Sequence, residues 1–289
     1  MSDNHLCIFG EVLFDHFADG KRVLGGAPFN VAWHLQAFGQ TPHFISRVGN
    51  DAEGETVRTA MRDWGMDTTG LQIDSQRPTG RVSVSLVNGE PIYTIDADSA
   101  YDAIAPIRED IHCSFLYHGS LALRELTSRE SLQRLKACGA QTIFVDVNLR
   151  SPWWQRQQIQ SQLHSAHWVK LNGDELALLY PGQSPAGFMA EYGLTGVLLT
   201  HGAGGAEVMT SSGEHFQVSP QGNSEVVDTV GAGDAFAAVV ILGLTNDWPL
   251  EVSLERAQLF ASQMVGRRGA TVASADFYQT FINQWQLLA

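Results

Sequence analysis

The sequence predicts an α/β fold in which a doubly wound, mostly parallel sheet carries a small β-sheet lid. Short apolar runs alternate along the chain with longer helix-like segments, which is typical of a parallel sheet covered by helices on both faces. The segment Arg81–Ile95 breaks this alternation, because it contains two β-type runs separated by Asn88-Gly89. That pattern predicts an antiparallel hairpin outside the main layers.

The individual elements follow from the same patterns. The first run, Leu6–Gly10, is continuously apolar, as expected for a strand covered on both faces. Thr127-x-x-Glu130 indicates a capping box at the start of a helix that ends near Gly139. The other predicted strands are His43–Val48, Thr142–Val147, Trp168–Leu171, Val197–Thr200 and Ala206–Met209, and the other predicted helices are Pro28–Gly39, Glu53–Gly65 and Ala235–Leu244.

The chain is expected to form one domain over residues 1–289, with lid segments at about 12–24 and 79–97. No internal repeat or long linker divides it. The lid edge is compatible with a homodimer, in which two lids pair, and with a monomer. Lys21, Arg22 and Arg81 place charge on that edge, and charge on an edge strand discourages pairing.

Composition restricts the classes of partner. The net charge of −13, with only 18 Lys and Arg, argues against nucleic acid. No basic leader with a long apolar stretch is visible, and the most apolar segment, Ala235–Leu244, is about half the length needed to cross a bilayer. Cys7, Cys113 and Cys138 lack metal-ligand spacing, so we expect buried thiols, a cytoplasmic protein and no membrane contact.

The segment Asp228–Phe236, DTVGAGDAF, has the features of an anion site with a base beside it. Glycine permits a sharp turn before an apolar helix, and the amides of Gly231, Ala232 and Gly233 would then face an anion. Asp234 would lie in the first helical turn, where it can take a proton from a hydroxyl that attacks phosphate. Alternatively, Asp234 only favours the helix N-terminus, where acids are common.

Three stretches together resemble the PfkB/ribokinase family of sugar and nucleoside kinases. They are GGAPFNVA (Gly25–Ala32), RVGNDAEG (Arg47–Gly54) and the DTVGAGDAF segment, in that order along the chain. The resemblance extends from Leu6 to about Thr271. It implies a ribokinase-like fold and transfer of the γ-phosphoryl group of ATP, with Mg²⁺, to a hydroxyl of a sugar or nucleoside.

The resemblance assigns catalytic roles to the same turn. It implies that Asp234 is the general base and that the amides of Ala232, Gly233 and Asp234 form an anion hole for the transferred phosphoryl group. It also implies that Asp228 helps to bind a monovalent cation such as K⁺. A turn carboxylate that accepts hydrogen bonds from nearby amides is the alternative for Asp228.

A motif after the predicted strand at 168–171 resembles the family's NxxE element. Asn172-x-x-Glu175 is then implied to organise Mg²⁺-bound water and the ATP phosphates, with Glu175 acting on the metal through water. The alternative is a helix N-cap and its N3 partner. Lys170 either reaches the phosphates or extends to solvent from the end of the strand.

The next strand is followed by Thr200-x-Gly202-x-x-Gly205, which resembles the family's TxGxxG nucleotide loop. Glycines at these places would let the ATP phosphates approach the backbone. A plain hairpin turn before the strand at 206–209 is the alternative.

The resemblance places the sugar at the other end of the site. It implies that Asp15 bonds sugar hydroxyls, that Gly25 and Gly26 permit close approach, and that Asn30 supplies both a donor and an acceptor. The alternatives are a surface aspartate for Asp15 and a backbone-bonding amide for Asn30.

Asp146-x-Asn148-x-Arg150, with two tryptophans soon after it, resembles the fructokinase-like members. Asn148 and Arg150 are then implied to contact the sugar, and fructose is the expected substrate. Arg150 could instead bind the carboxylate of 2-keto-3-deoxygluconate or pair structurally with Asp146. Ribose and nucleosides are further alternatives, as is a non-catalytic sugar sensor, although a sensor has no need for a base at Asp234.

Overall fold

The computed structural model describes residues 6–87, 90–107, 112–220 and 227–287. Within them the chain forms a large sheet, a small sheet and flanking helices. The strands are β1 (Leu6–Phe9), β2 (Leu13–Phe17), β3 (Arg22–Gly25), β4 (His43–Gly49), β5 (Leu71–Asp74), β6 (Gly80–Val87), β7 (Glu90–Ile95), β8 (Phe115–His118), β9 (Thr142–Asp146), β10 (Trp168–Asn172), β11 (Gly196–Thr200), β12 (Ala206–Thr210) and β13 (His215–Val218). The α-helices are α1 (Ala27–Ala37), α2 (Ala52–Asp63), α3 (Leu126–Ala137), α4 (Arg156–Leu163), α5 (Gly173–Leu179), α6 (Pro185–Tyr192), α7 (Ala232–Thr245), α8 (Leu250–Val265) and α9 (Ala275–Trp285).

The large sheet has nine strands in the order β13-β12-β11-β10-β9-β8-β1-β4-β5. All neighbours pair in parallel except β11 with β12 and β12 with β13. Side chains of β1 alternate between two hydrophobic clusters: Leu6 and Ile8 belong to one, and Cys7 and Phe9 to the other. One cluster includes residues of α1, α2, α7, α8 and α9, and the other includes residues of α3 to α6. The predicted doubly wound α/β fold is therefore confirmed.

The small sheet has the order β3-β2-β6-β7. Its strands fall in the two predicted segments, with β3 reaching one residue further, to Gly25. The predicted hairpin is present, because β6 and β7 pair antiparallel with Val82 opposite Ile95. Its proposed turn at Asn88-Gly89 lies outside the described residues.

Glu53, a buried residue in α2, joins the small sheet to the main body. Its Oε2 accepts a 2.7 Å hydrogen bond from Arg81 Nε, and its Oε1 lies 3.5 Å from Arg22 Nη1. His16 Nε2 of β2 lies 2.8 Å from the same Oε1. Two of the cations expected on the lid edge therefore face a carboxylate of the main body instead.

The predicted capping box at the start of α3 is wrong. The helix already begins at Leu126, with Glu125 as an N-cap residue that makes no side-chain cap hydrogen bond. Thr127 consequently lies inside the first turn, whereas a capping residue needs non-helical backbone. The remaining predicted helices and strands are present with boundaries shifted by a few residues at most. None of the helices in the described ranges is long and apolar enough to span a membrane.

Candidate active site

A cleft of about 470 Å³ lies at the carboxyl ends of the parallel strands, and the small sheet forms one of its walls. Parallel strands bring their carboxyl ends to one edge, which is where open α/β sheets bind ligands. The cleft gathers most of the predicted site residues: Asp15, Gly25, Gly26, Asn30, Asn148, Arg150, Lys170, Asn172, Glu175, Thr200, Gly231, Gly233 and Asp234.

A second cavity of about 400 Å³ adjoins the first and shares Thr200, Thr229 and Gly233 with it. Apolar side chains from α7 and α8 form much of its wall, including Phe236 and Val265. The remaining predicted nucleotide-loop and turn residues line it: Gly202, Gly205 and Ala232. The first cavity, which carries the charged side chains, is the more polar compartment, and the second is largely apolar.

The N-terminus of α7 faces both cavities. Gly231 caps the helix in the left-handed region, with a φ of 80°, and an added Cβ there would collide with Ala270. Asp234 lies in the first turn, and its Oδ2 accepts a 2.8 Å hydrogen bond from Asn30 Nδ2. Burial raises the pKa of Asp234, and the hydrogen bond from Asn30 opposes that rise. The amide of Ala232, predicted to be part of the anion hole, donates a 3.4 Å hydrogen bond to the carbonyl of Thr229.

Lys170 forms a buried ion pair with Asp146. Its Nζ lies 2.9 Å from both carboxylate oxygens. Burial alone would lower the pKa of Lys170, but the Asp146 carboxylate outweighs that effect and the pKa is raised. The expectation that Lys170 extends to solvent is therefore wrong. A Cβ at Gly233 would lie 3.5 Å from Lys170 Nζ, so the ammonium group sits beside the α7 turn.

Arg150 is exposed at the rim of the same cleft. The alternative in which Arg150 pairs with Asp146 is not present, because Asp146 pairs with Lys170. Within the described part of the chain, no carboxylate forms an ion pair with Arg150. Asn148 lines the cleft with a φ of 37°, a left-handed conformation that asparagine tolerates better than most residues.

Asn172 and Glu175 form a reciprocal capping box at the start of α5. Asn172 Oδ1 accepts from the Glu175 amide, and Glu175 Oε2 accepts from the Asn172 amide, each at 2.9 Å. Glu175 Oε1 also accepts a 2.7 Å hydrogen bond from the Leu149 amide. Burial raises the pKa of Glu175. The capping alternative is therefore present, and the action of Glu175 on Mg²⁺ stays a prediction.

The Thr200–Gly205 loop joins antiparallel β11 and β12, so the hairpin alternative also describes its geometry. Gly202 begins a short 3-10 turn, and Gly205 has a φ of 95°. An added Cβ at Gly205 would collide with the carbonyl of Val218, which explains why this position holds glycine.

The sugar-side residues converge on Gly25. A Cβ there would lie 3.9 Å from Asn30 Oδ1 and 4.0 Å from Asp15 Oδ2. Burial raises the pKa of Asp15 to about 6. Asn30 Oδ1 is buried and has no hydrogen-bond partner in the described residues, so this acceptor is available to a ligand. Gly26 has a φ of 109° and lies against the carbonyl of Glu11.

Asp228 is engaged by backbone on both carboxylate oxygens. Oδ1 accepts from the Val230 amide at 3.0 Å and Oδ2 from the Gly269 amide at 3.1 Å. This is the turn role that was the alternative for Asp228. Across the described ranges, no three His, Cys, Asp or Glu side chains converge as a ready metal site.

Glu11 was missed by the sequence analysis, although it lines the cleft. It lies two residues after the end of β1 and is only 3% exposed. The signal was present in the sequence, since an acid inside the apolar run FGEVLF requires a reason for its burial.

A doubly wound sheet, a helix N-terminus that carries an acid, and two joined compartments define an enzyme of the phosphoryl-transfer class. The comparison with known families agrees. The pfkB family carbohydrate kinase model matches residues 3–276, and the chain belongs to that family. It is thus an ATP-dependent carbohydrate kinase.

Known relatives cover nearly the whole chain. A fructokinase of Klebsiella pneumoniae is 31% identical over 93% of this chain and 94% of its own length. The aminoimidazole riboside kinase of Salmonella typhimurium is 29% identical over 91% and 89%. A fructokinase double mutant of Vibrio cholerae, solved with fructose, ADP and potassium ion, has a TM-score of 0.79 at 25% identity, covering 96% of this chain and 97% of that one.

Proposed function

We propose that this carbohydrate kinase transfers the γ-phosphoryl group of ATP to a hydroxyl of D-fructose, with Asp234 as the general base. The observation that carries the proposal is the hydrogen bond from Asn30 to Asp234, which fixes a carboxylate between the α7 turn and the sugar-side residues. The hydroxyl oxygen forms a bond to the γ-phosphorus, its proton passes to Asp234, and the bond to ADP breaks. A raised pKa makes Asp234 a better proton acceptor.

The α7 turn and Lys170 are proposed to stabilise the charge that moves in this step. The first amide groups of a helix lack intrahelical partners, so Gly233 and Asp234 can donate to phosphoryl oxygens. The ammonium group of Lys170 adds positive charge beside Gly233. Such fixed donors lower the barrier because they need no reorganisation during the reaction.

ATP fits the two joined cavities by their chemistry. The apolar compartment, lined by Phe236 and Val265, suits a purine base, and the polar compartment suits phosphates. Mg²⁺, when bound, neutralises phosphate charge. Asn172 and Glu175 offer the oxygen donors that it prefers, directly or through water.

A monovalent cation is proposed beside Asp228. This carboxylate is held at the turn by the amides of Val230 and Gly269, so it adds a fixed negative charge next to α7. The potassium ion in the Vibrio cholerae fructokinase structure supports the choice of K⁺. Stimulation of turnover by KCl over equal ionic strength of tetramethylammonium chloride would test it.

The choice of fructose rests on the hydrogen-bonding side chains of the sugar side and on the fructokinase relative. Asp15, Asn30 and Asn148 give donors and acceptors for a neutral polyol. One observation favours a second candidate, 2-keto-3-deoxygluconate: Arg150 is exposed at the cleft without an ion-pair partner in the described residues. The carboxylates of Asp15 and Asp234 in the same cleft oppose an acidic substrate.

A substrate panel tests the proposal directly. Formation of ADP is measured with fructose, ribose, 2-keto-3-deoxygluconate, adenosine and aminoimidazole riboside at saturating Mg·ATP. We expect the highest kcat/KM for fructose. A value at least tenfold higher for any other member, about 1.4 kcal/mol of transition-state binding, would reject fructose as the substrate.

A further inference from the structure

Glu11 is a buried acid in the sugar-side wall of the cleft. It stands between β1 and β2, and its residue is 3% exposed. Its carbonyl oxygen lies against Gly26, so its backbone is fixed by the same glycine pair that borders Asn30. Glu11 lines the cleft together with Asp15 and Asp234, and the charge of Asp234 acts on its carboxyl group.

The carboxyl group of Glu11 meets backbone amides at Glu11 and Ala122, but one of its oxygens is left without a partner. Its Oε2 is buried and makes no hydrogen bond to any residue that the structure describes. No cation lies within ion-pair distance in the same residues. Burial of a carboxyl oxygen without a partner costs free energy, and a hydroxyl of a bound substrate would supply the missing partner.

Burial and the neighbouring charges shift the pKa of the Glu11 carboxyl group. Burial and, to a smaller extent, the charge of Asp234 raise the pKa of Glu11 to about 7, against the opposing effects of backbone hydrogen bonds at Glu11 and Ala122 and of the Arg150 charge. The charge of Glu11 in turn contributes to the raised pKa of the buried phenols of Tyr101 and Tyr117. A carboxyl group in this state exchanges easily between donor and acceptor, which matches a hydroxyl group, itself both donor and acceptor.

Neither packing nor an ion pair accounts for this side chain. A residue kept for packing would be apolar here, because the neighbouring positions Phe9, Val12 and Leu13 are apolar and buried. A residue kept for an ion pair would have a cation beside it, as Asp146 has Lys170.

We propose that Glu11 is a specificity-determining residue of the sugar site, whose carboxyl group hydrogen-bonds one hydroxyl of the substrate on the wall shared with Asp15 and Asn30. The assignment rests on the proposed sugar kinase function. Glu11 would then be the second acid, after Asp15, that hydrogen-bonds a hydroxyl of the sugar. Its negative charge would disfavour a substrate with a carboxylate in place of that hydroxyl.

Monodeoxy analogues of D-fructose test this assignment. Their dissociation constants are measured by calorimetry on the wild-type enzyme, on Glu11→Met, which keeps the volume but cannot hydrogen-bond, and on Glu11→Gln, which keeps the hydrogen bond. We expect the wild type to bind one analogue about tenfold more weakly than fructose. For Glu11→Met, that analogue and fructose should bind within about threefold of each other, and Glu11→Gln should retain most of the discrimination.

Glu130→Gln, on the exposed face of α3, is the matched control and should behave as the wild type. The KM for ATP should be unchanged in Glu11→Met. Wild-type discrimination in Glu11→Met overturns the proposal, as does equal weakening of every sugar together with a lower Tm. If Glu11→Met does not fold, Glu11→Leu takes its place: loss of discrimination in Glu11→Leu supports the proposal, and wild-type discrimination there overturns it.

The outcome for Glu11 is separable from that for the proposed substrate. If the wild type does not use fructose, the choice of fructose fails. The same comparison is then made with deoxy analogues of the sugar that the substrate panel selects, and Glu11→Met again decides the role of Glu11.

Discussion

Asn30 and Asp234 are 204 residues apart in sequence and are joined by a 2.8 Å hydrogen bond from Nδ2 to Oδ2. The bond ties α1 to the first turn of α7 at the point where the two compartments of the cleft meet. It orients the carboxylate and leaves Asn30 Oδ1 as an acceptor for the sugar. The proposed base is thus positioned by a residue of the proposed sugar site.

Replacement of the base should remove most of the turnover. Asp234→Asn is expected to lower kcat about 10²–10⁴-fold, the usual contribution of general base catalysis, with little change in the KM for ATP. Steady-state kinetics measures both quantities. Asp276→Asn is the matched control, because Asp276 also lies in a first helical turn, that of α9. Retained kcat in Asp234→Asn would mean that this acid serves only the helix.

Loss of the Asn30 hydrogen bond should move the pH dependence of kcat. The base must be ionised to accept a proton, so kcat rises with pH through the pKa of Asp234. The bond from Asn30 lowers that pKa, so Asn30→Leu should shift the rising limb to higher pH. The exposed Asn283→Leu on α9 should leave the limb in place. A shift to lower pH, or none, would contradict the positioning role.

The Lys170–Asp146 pair should matter for stability and for catalysis together. Lys170→Met leaves a buried carboxylate without its partner, which should lower the free energy of unfolding by about 3–5 kcal/mol. Adding Asp146→Asn should restore part of this loss but not kcat. Lys136→Met is a useful contrast, since Lys136 bonds the neutral Gln162 and Ser165 instead of a carboxylate. Chemical denaturation and kinetics measure these effects, and full recovery of kcat in the double variant would argue against Lys170 at the phosphates.

Glu53 should control the small sheet if that sheet is a lid. Loss of its bonds to Arg81, Arg22 and His16 in Glu53→Gln should free the hairpin β6–β7. We expect faster amide hydrogen exchange there without sugar, and protection on adding sugar, because closure excludes water from the reaction. Glu55→Gln, whose side chain pairs with exposed Arg58 and Arg62 of the same helix, is the control. If the rate of hydrogen exchange in the hairpin changes neither in Glu53→Gln nor on adding sugar, the small sheet is not a closing lid.

The fold could be predicted because the signals that set it are local. Continuous apolar runs mark strands that are covered on both faces, and the Gly-Ala-Gly turn marks the start of α7. The side-chain partners within the site could not be predicted. Lys170 meets Asp146 because β9 and β10 align them in register, and the register of two parallel strands is not written in either strand alone.

The missed residues share a cause. Glu11 and Glu53 are acids whose surroundings come from distant parts of the chain, such as Gly26 for Glu11 and Arg81 for Glu53. A sequence can show an acid inside an apolar run, as at Glu11, but the groups that surround the acid become visible only when the elements around it are assembled. The start of α3 shows a similar limit. The Thr127-x-x-Glu130 pattern suits a capping box, but the helix begins at Leu126 and the box does not form.

Arg150 offers the sharpest test of substrate class. Its charge lies near three acids of the cleft, and it opposes the rise in the pKa of Glu11, Asp15 and Asp234. With a neutral sugar, Arg150→Gln therefore removes a balancing charge but no direct ion pair, and kcat/KM for fructose should fall less than about tenfold. The control variant Arg134→Gln, at an exposed position on α3, should leave kcat/KM unchanged.

With a sugar acid as the true substrate, Arg150→Gln would break a bond to the substrate carboxylate. Its kcat/KM should then fall by about 1.5–3 kcal/mol of transition-state binding, roughly 10- to 150-fold. Kinetics with fructose and 2-keto-3-deoxygluconate on both variants would decide. A loss confined to the sugar acid, in an enzyme that prefers it, would show that Arg150 recognises a carboxylate and that fructose is not the substrate.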